Sequence, residues 1–177
     1  MKIFLNILGV LIILIVLLSM VAAIGGSFMD SDHQVSLTAH INASPDSVFK
    51  VINDFRNYPE WRKELLKVEM LPKRDSISVW REYDKWNNNW AYEASEVDSP
   101  SYVRIQIAEP EMSVQGSWAI SIIPDGNGSQ VNVIEEGSVE NVFFRFIGRV
   151  CYRQTATIEA YLTSLAGRFG QKLSFDG

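Results

Sequence analysis

One cysteine and two histidines are all that the 177-residue chain offers as thiolate or imidazole ligands. A single cysteine excludes an internal disulfide and any Cys-rich zinc site. His33 and His40 stand in no HExxH or His/carboxylate spacing, so no metal and no other cofactor is expected. Basic residues are also few: 16 against 21 acidic, a net charge of −5 at pH 7. That balance lacks the positive field which general nucleic-acid binding requires. No internal repeat or low-complexity tract is present. With 47% hydrophobic residues the chain is long enough to bury a core without staples, and one domain plus one appendage is expected.

What the chain does contain is a long uncharged run. From Ile3 to Ile24 only Asn6 and Ser19 are clearly polar. As a helix rising about 1.5 Å per residue this run reaches roughly 33 Å, enough for a hydrocarbon core of about 30 Å. The competing reading is a cleaved signal peptide, with Val21-Ala22-Ala23 as the small-residue cleavage site; the apolar core of such a peptide is ordinarily about 7–15 residues, shorter than this run. No cysteine stands directly after the run, which excludes a lipid-modified lipoprotein. Lys2 precedes it, whereas Asp30 and Asp32 follow. The positive-inside rule then keeps the N-terminus cytoplasmic and puts the remainder on the extracytoplasmic side. Residues 1–26 are read as anchor, 27–33 as a flexible linker with His33 in it, and 34–177 as the domain. A free thiol at Cys151 is tolerable outside the cell if buried.

In the domain, Val35, Leu37, Ala39 and Ile41 alternate with polar residues as in a half-buried strand. Ser44-Pro45-Asp46 supplies an N-cap, a first-turn proline and an acid at the positive end of the helix dipole. Val48, Phe49, Val51, Ile52 and Phe55 then recur at helical spacing, up to Asn57-Tyr58-Pro59, and a second short turn is expected from Pro59. Strands are expected over 65–71, 76–83, 90–97, 102–109, 114–123 and 130–139. Asn87-Asn88-Asn89 and Asp125-Gly126-Asn127-Gly128 are turn chemistry, and consecutive strands joined by short turns make an antiparallel meander. Phe144, Ile147, Cys151, Thr155, Ile158, Leu162, Leu165 and Phe169 form one stripe, which predicts a single helix over 142–172. The fold class is α+β: a seven-stranded antiparallel sheet against a long C-terminal helix. A cavity remains wherever the sheet curves more than the helix can fill.

Residues 41–49 (Ile-Asn-Ala-Ser-Pro-Asp-Ser-Val-Phe), followed by Asp54-Phe55-Arg56-Asn57-Tyr58-Pro59-Glu60-Trp61, resemble the opening of the polyketide cyclase/dehydrase-like proteins. These belong to the START-related helix-grip superfamily, SRPBCC. Gly116-Ser117-Trp118, Glu135-Glu136-Gly137-Ser138-Val139, Phe144-Arg145-Phe146 and Gln154 to Leu162 are similar as well, so the resemblance spans about residues 34–172. It implies a seven-stranded antiparallel sheet gripping a long C-terminal helix around an apolar cavity. Its members bind lipids, sterols, polyketides or hormones, and some are cyclases or hydroxylases. The fold alone therefore does not fix the activity.

The candidate site residues are Trp90, Tyr92, Trp118, Glu135, Tyr152 and Thr155. Trp90 and Tyr92 share one strand face, and Trp118 shares its face with Ile120; these aromatics line a pocket or fill the core. Thr155 is the polar break in the helix stripe, and Tyr152 is its neighbour. Glu135 has the parity of Val131 and Val133. It either enters the cavity, where desolvation supports acid–base work, or forms a salt bridge, for instance to Arg145. Arg145, Arg149 and Arg153 recur every fourth residue, as a ridge for anionic headgroups or as a solvated face paired with Glu136 or Glu140. Arg104 has the parity of Tyr102 and Gln106 and is expected to face water.

Three functions follow as expectations. The first is a membrane-anchored domain, held by residues 3–24, that binds a hydrophobic small molecule or lipid. The second is a cyclase/dehydrase-type enzyme using the same cavity, with Glu135 as the catalytic candidate and Tyr152 as a possible donor. The third is an assembly factor of a membrane complex.

Overall fold

The computed structural model describes residues 2–109, 114–151 and 153–175. Its element order is α1 (Lys2–Ser27), β1 (Asp32–Ile41), α2 (Pro45–Ile52), a 3-10 turn (Phe55–Glu60), β2 (Leu65–Arg74), β3 (Ile77–Asp84), β4 (Asn89–Asp98), β5 (Tyr102–Ile107), β6 (Val114–Asp125), β7 (Gly128–Val139), α3 (Val142–Cys151) and α4 (Ala156–Arg168). All strands join one antiparallel sheet in the order β1-β7-β6-β5-β4-β3-β2. β2 to β7 are a meander, as the turn residues require. β1 closes the far edge by pairing with β7 over its whole length, from Asp32↔Ser138 to Ile41↔Ser129. Asn87 and Gly126 have positive φ, 66° and 58°, in the turns where Asn and Gly were expected to supply it.

Alternation places one face of the sheet inward. Ile41, Trp80, Val103, Ile120, Ile122, Val131 and Val133 are fully or almost fully buried there. They pack against Ile158, Leu162, Leu165 and Ala166 of α4 and against Val48, Phe49 and Ile52 of α2. The 3-10 turn seals one side: Phe55 stacks on Trp80 with ring centroids 3.8 Å apart, and Tyr58 meets Trp80 edge-on.

Four local expectations change. The predicted 142–172 helix is two helices, because α3 docks on the end of α1 while α4 lies on the sheet, and one straight rod cannot do both. Phe55 begins the 3-10 turn rather than ending α2, and Tyr58 sits inside that turn with Pro59. His33 belongs to β1, paired with Gly137, and not to the linker. Ser44 stands at the N-cap of α2, but its hydroxyl bonds Ser47 Oγ and caps no backbone N–H.

α1 is the one helix among the described residues long and apolar enough to cross a membrane. Its side chains are exposed along nearly the whole length; Ala22 and Gly26 are the buried ones.

Candidate functional site

A cavity of about 250 Å³ lies between the N-terminal half of α4 and the inner face of the sheet. Thr157 and Tyr161 of α4 form one wall. Tyr58 and Arg62 close a second. Glu82, Tyr92, Ile105, Ile107, Trp118 and Glu135 rise from β3 to β7, and His33 reaches in from β1. The space exists partly because side chains are missing. Gly116 and Gly137 pair across β6 and β7, one step along the inner face from the Trp118↔Glu135 pair. No Cβ fills the floor at Gly116, and the His33 ring lies over Gly137 where a Cβ would collide with it.

One end of the cavity is a buried ionic cluster. Arg62 gives Nη1–H to Glu82 Oε1 at 2.9 Å and Nε–H to Glu64 Oε1 at 2.8 Å. The Trp80 indole N–H donates to the same Glu82 oxygen at 3.0 Å. The Arg62 guanidinium also lies over the rings of Tyr58 and Tyr161, 5.2 and 5.8 Å from their centroids, within cation–π range. Burial works against the Arg62 charge, but the carboxylates of Glu82 and Glu64 more than offset it, so its pKa goes up.

Phenols line the middle. Tyr58 donates to the Ile52 carbonyl at 2.7 Å. The Tyr161 hydroxyl is fully buried and finds no hydrogen-bond partner among the described residues. Tyr58 is its polar neighbour, but the Tyr58 proton is committed to the Ile52 carbonyl, so Tyr161 does not accept from it. Burial raises the pKa of Tyr58, Tyr92 and Tyr161, which keeps all three neutral donors at physiological pH. An unpartnered buried hydroxyl costs about 1–3 kcal/mol, a penalty that a guest with an acceptor atom would remove.

Glu135 closes the other end. Trp118 Nε1–H donates to its Oε2 at 3.0 Å, and His33 Nε2 stands 3.9 Å from Oε1. Desolvation raises the Glu135 pKa above the usual carboxylate value, against the pull of Trp118 and His33. Between the ordinary value and the raised one, the folded chain holds a proton that the unfolded chain has lost. Stability therefore falls as pH rises through that window. Glu135→Gln keeps an acceptor for Trp118 and cannot ionise. At neutral pH it is expected to melt above the wild type, and below the ordinary carboxylate range the two melting curves should converge. Thermal unfolding of both proteins across pH checks this.

Of the residues singled out by sequence, Tyr92, Trp118 and Glu135 come together on this cavity. Trp90 shares the inward parity of Tyr92 and stands opposite Glu82, but it is not part of the lining. Thr155 sits at the break between α3 and α4 and donates to Glu159 Oε1 at 2.7 Å. Tyr152 lies outside the described residues. Arg62, Glu82 and Tyr161 line the cavity without being singled out by the sequence, and His33, which reads there as linker, joins them. Two of these had a usable signal: Glu82 alternates with Trp80, and Tyr161 stands three residues after Ile158 on the buried side of α4.

Arg145 does not pair with Glu135, and neither Glu136 nor Glu140 gives it a carboxylate. Its guanidinium donates to the carbonyls of Val139, Glu140, Gly26 and Met29. Arg149 donates to the Asp32 carbonyl at 3.1 Å, and Arg153 pairs with Glu159. Glu136 bonds Arg104 on the outer face, so Arg104 is half-covered there instead of free in water.

The pattern that defines the family described as "Polyketide cyclase / dehydrase and lipid transport" matches residues 32–170. Solved structures share the fold. Truncated norcoclaurine synthase from Thalictrum flavum is 14% identical with a TM-score of 0.63, over 78% of this chain and 93% of that one. A START superfamily protein from Mycobacterium smegmatis is 18% identical with a TM-score of 0.60, over 77% and 96%. The Zhui aromatase/cyclase from Streptomyces sp. R1128 is 16% identical with a TM-score of 0.63, over 77% and 93%. No curated protein sequence matches. The chain belongs to the polyketide cyclase/dehydrase and lipid transport family, with a START-like helix-grip fold.

Proposed function

We propose that this family member is a membrane-anchored binding protein for a small, neutral, hydrophobic molecule that carries a hydrogen-bond acceptor. The observation behind this reading is the cavity of about 250 Å³ in whose wall the buried Tyr161 hydroxyl has no hydrogen-bond partner among the described residues. An apolar cavity of about 150 Å³ already holds benzene, so this one suits a substituted ring or the end of a chain. Its size is just under the usual range of about 300–1,000 Å³ for ligand pockets, and a bulkier lipid would enter only in part. Charge narrows the class. Arg62 is already matched by two carboxylates, and Glu135 adds a third acid, so an anionic head meets repulsion while a carbonyl or hydroxyl accepts from Tyr161. The apolar α1 supplies the anchor and keeps the mouth near a membrane-derived guest.

Native mass spectrometry of the full chain in mild detergent tests the reading. A single neutral adduct, or uptake of one neutral aromatic ketone or sterol per chain, is expected. A bare chain that takes up neither, or that prefers a free fatty acid, contradicts it. Tyr161→Phe gives a second check. Loss of the unpartnered hydroxyl is expected to raise the unfolding free energy by about 1 kcal/mol or more. The same change should weaken an acceptor-bearing guest by about 0.5–1.5 kcal/mol, roughly 2–12-fold, in a binding titration.

One observation favours a catalytic reading of the same cavity: Glu135 is in its wall and burial raises its pKa. A ketone bound there would then exchange the protons next to its carbonyl with D2O. NMR should show that exchange with the wild type and lose it with Glu135→Gln.

A further inference from the structure

We infer that α3 lies in the headgroup layer of the bilayer beside the end of α1, and that it holds the entrance of the cavity against the membrane surface. The inference rests on the reading of α1 as a membrane span. A helix starting at Lys2 and apolar to Ile24 uses up a core of about 30 Å by that point. Its last turn, Gly25–Ser27, then emerges at the interface.

α3 is docked on that turn. A Cβ at Gly26 would collide with the carbonyl of Val142, and one at Gly25 with the Phe146 ring, so the two glycines let the helices touch. Arg145 fastens the contact by donating to the carbonyls of Gly26, at 3.3 Å, and Met29, at 2.9 Å. α3 therefore stands at the level where α1 leaves the hydrocarbon.

Its free surface suits that level. Phe143 and Val150, seven residues apart on one face, are 38% and 61% exposed, Phe144 is 62% exposed, and Phe28 just beyond α1 is 87% exposed. The charges of Arg145 and Arg149 go to backbone carbonyls, and no carboxylate pairs with either among the described residues. Aromatic residues and arginines together on a short amphipathic helix match an interface containing anionic lipid. Behind α3 lies a hollow of about 290 Å³, bounded by Phe144, Arg145 and Arg149 and sharing His33, Glu135 and Thr157 with the cavity. A guest leaving the interface would pass through it.

Depth-dependent fluorescence quenching of the full chain in nanodiscs of phosphatidylcholine and phosphatidylglycerol tests this. An NBD label is placed, in a Cys151→Ser background, at Phe144→Cys, Val150→Cys, Leu11→Cys or Asp46→Cys. Asp46 lies past the opposite end of β1 from α1. Expected is quenching of Leu11→Cys by lipids brominated at the chain end. Phe144→Cys and Val150→Cys should be quenched by lipids spin-labelled at the headgroup, with a blue shift, and Asp46→Cys should not be quenched. If Leu11→Cys is quenched while both α3 labels behave like Asp46→Cys, the α3 contact is wrong and the anchor stands. If Leu11→Cys is not quenched, the anchor reading fails and the α3 contact falls with it.

Discussion

Arg62→Met should bring the fold close to its stability limit. The substitution leaves Glu82, whose side chain is 8% exposed, buried without its cation. Removing one partner of a buried, hydrogen-bonded pair costs about 3–5 kcal/mol, because the surviving charge keeps its desolvation penalty. Domains of this size are stable by about 5–15 kcal/mol in total. Pairing the change with Glu82→Leu removes the stranded carboxylate and should restore most of the loss. Trp80 then gives up an acceptor, so recovery stays short of complete. Chemical denaturation of the wild type, both single variants and the double variant reads the coupling directly. A single-variant loss under about 1 kcal/mol would assign the pair to the weak, solvent-screened class.

The second large effect concerns the guest. Gly116 is on the cavity floor, and a Cβ there meets only Ile107 Cδ1 at 3.5 Å and the Glu136 carbonyl at 3.6 Å, both ordinary contacts. Gly116→Leu should therefore fold and place its side chain in the space a ligand would use. If about 100 Å² of guest surface then goes unburied, at ~25 cal/mol per Å², the loss is roughly 2.5 kcal/mol, close to 70-fold in affinity. A binding titration against the wild type measures it, and unchanged thermal unfolding separates a blocked cavity from a damaged fold. Tyr161→Phe and Gly116→Leu act by different routes, one on a polar contact and one on volume, so they should differ most for guests lacking an acceptor.

Much of the architecture was legible because it follows from two periodicities. Val131, Val133 and Glu135 share a strand face by alternation alone, and that face is the inner one. Ile158, Leu162 and Leu165 mark the buried stripe of α4 in the same way. The lining of the candidate cavity was legible where strands build it: Tyr92, Trp118 and Glu135 are on it. It was not legible where a turn supplies it. Arg62 follows the 3-10 turn, and no local pattern says that a charged residue there swings inward to meet Glu82. The helix break had no sequence mark either. The stripe runs on through Cys151 and Thr155, and the interruption comes from α3 docking on α1, a contact between segments more than a hundred residues apart. His33 reads as linker because the strand pattern becomes apolar only at Val35, although β1 starts at Asp32.

The claim on which these expectations converge is that the space beneath α4 admits a guest. Methyl and indole NMR of the full chain in nanodiscs, titrated with a neutral single-ring ketone, addresses it most directly. The account predicts saturable shifts at the Ile105 and Ile107 methyls and at the Trp118 indole, and none of them with Gly116→Leu. Resonances at these three residues that stay fixed while the ketone is added, or that move equally in the Gly116→Leu protein, would contradict it.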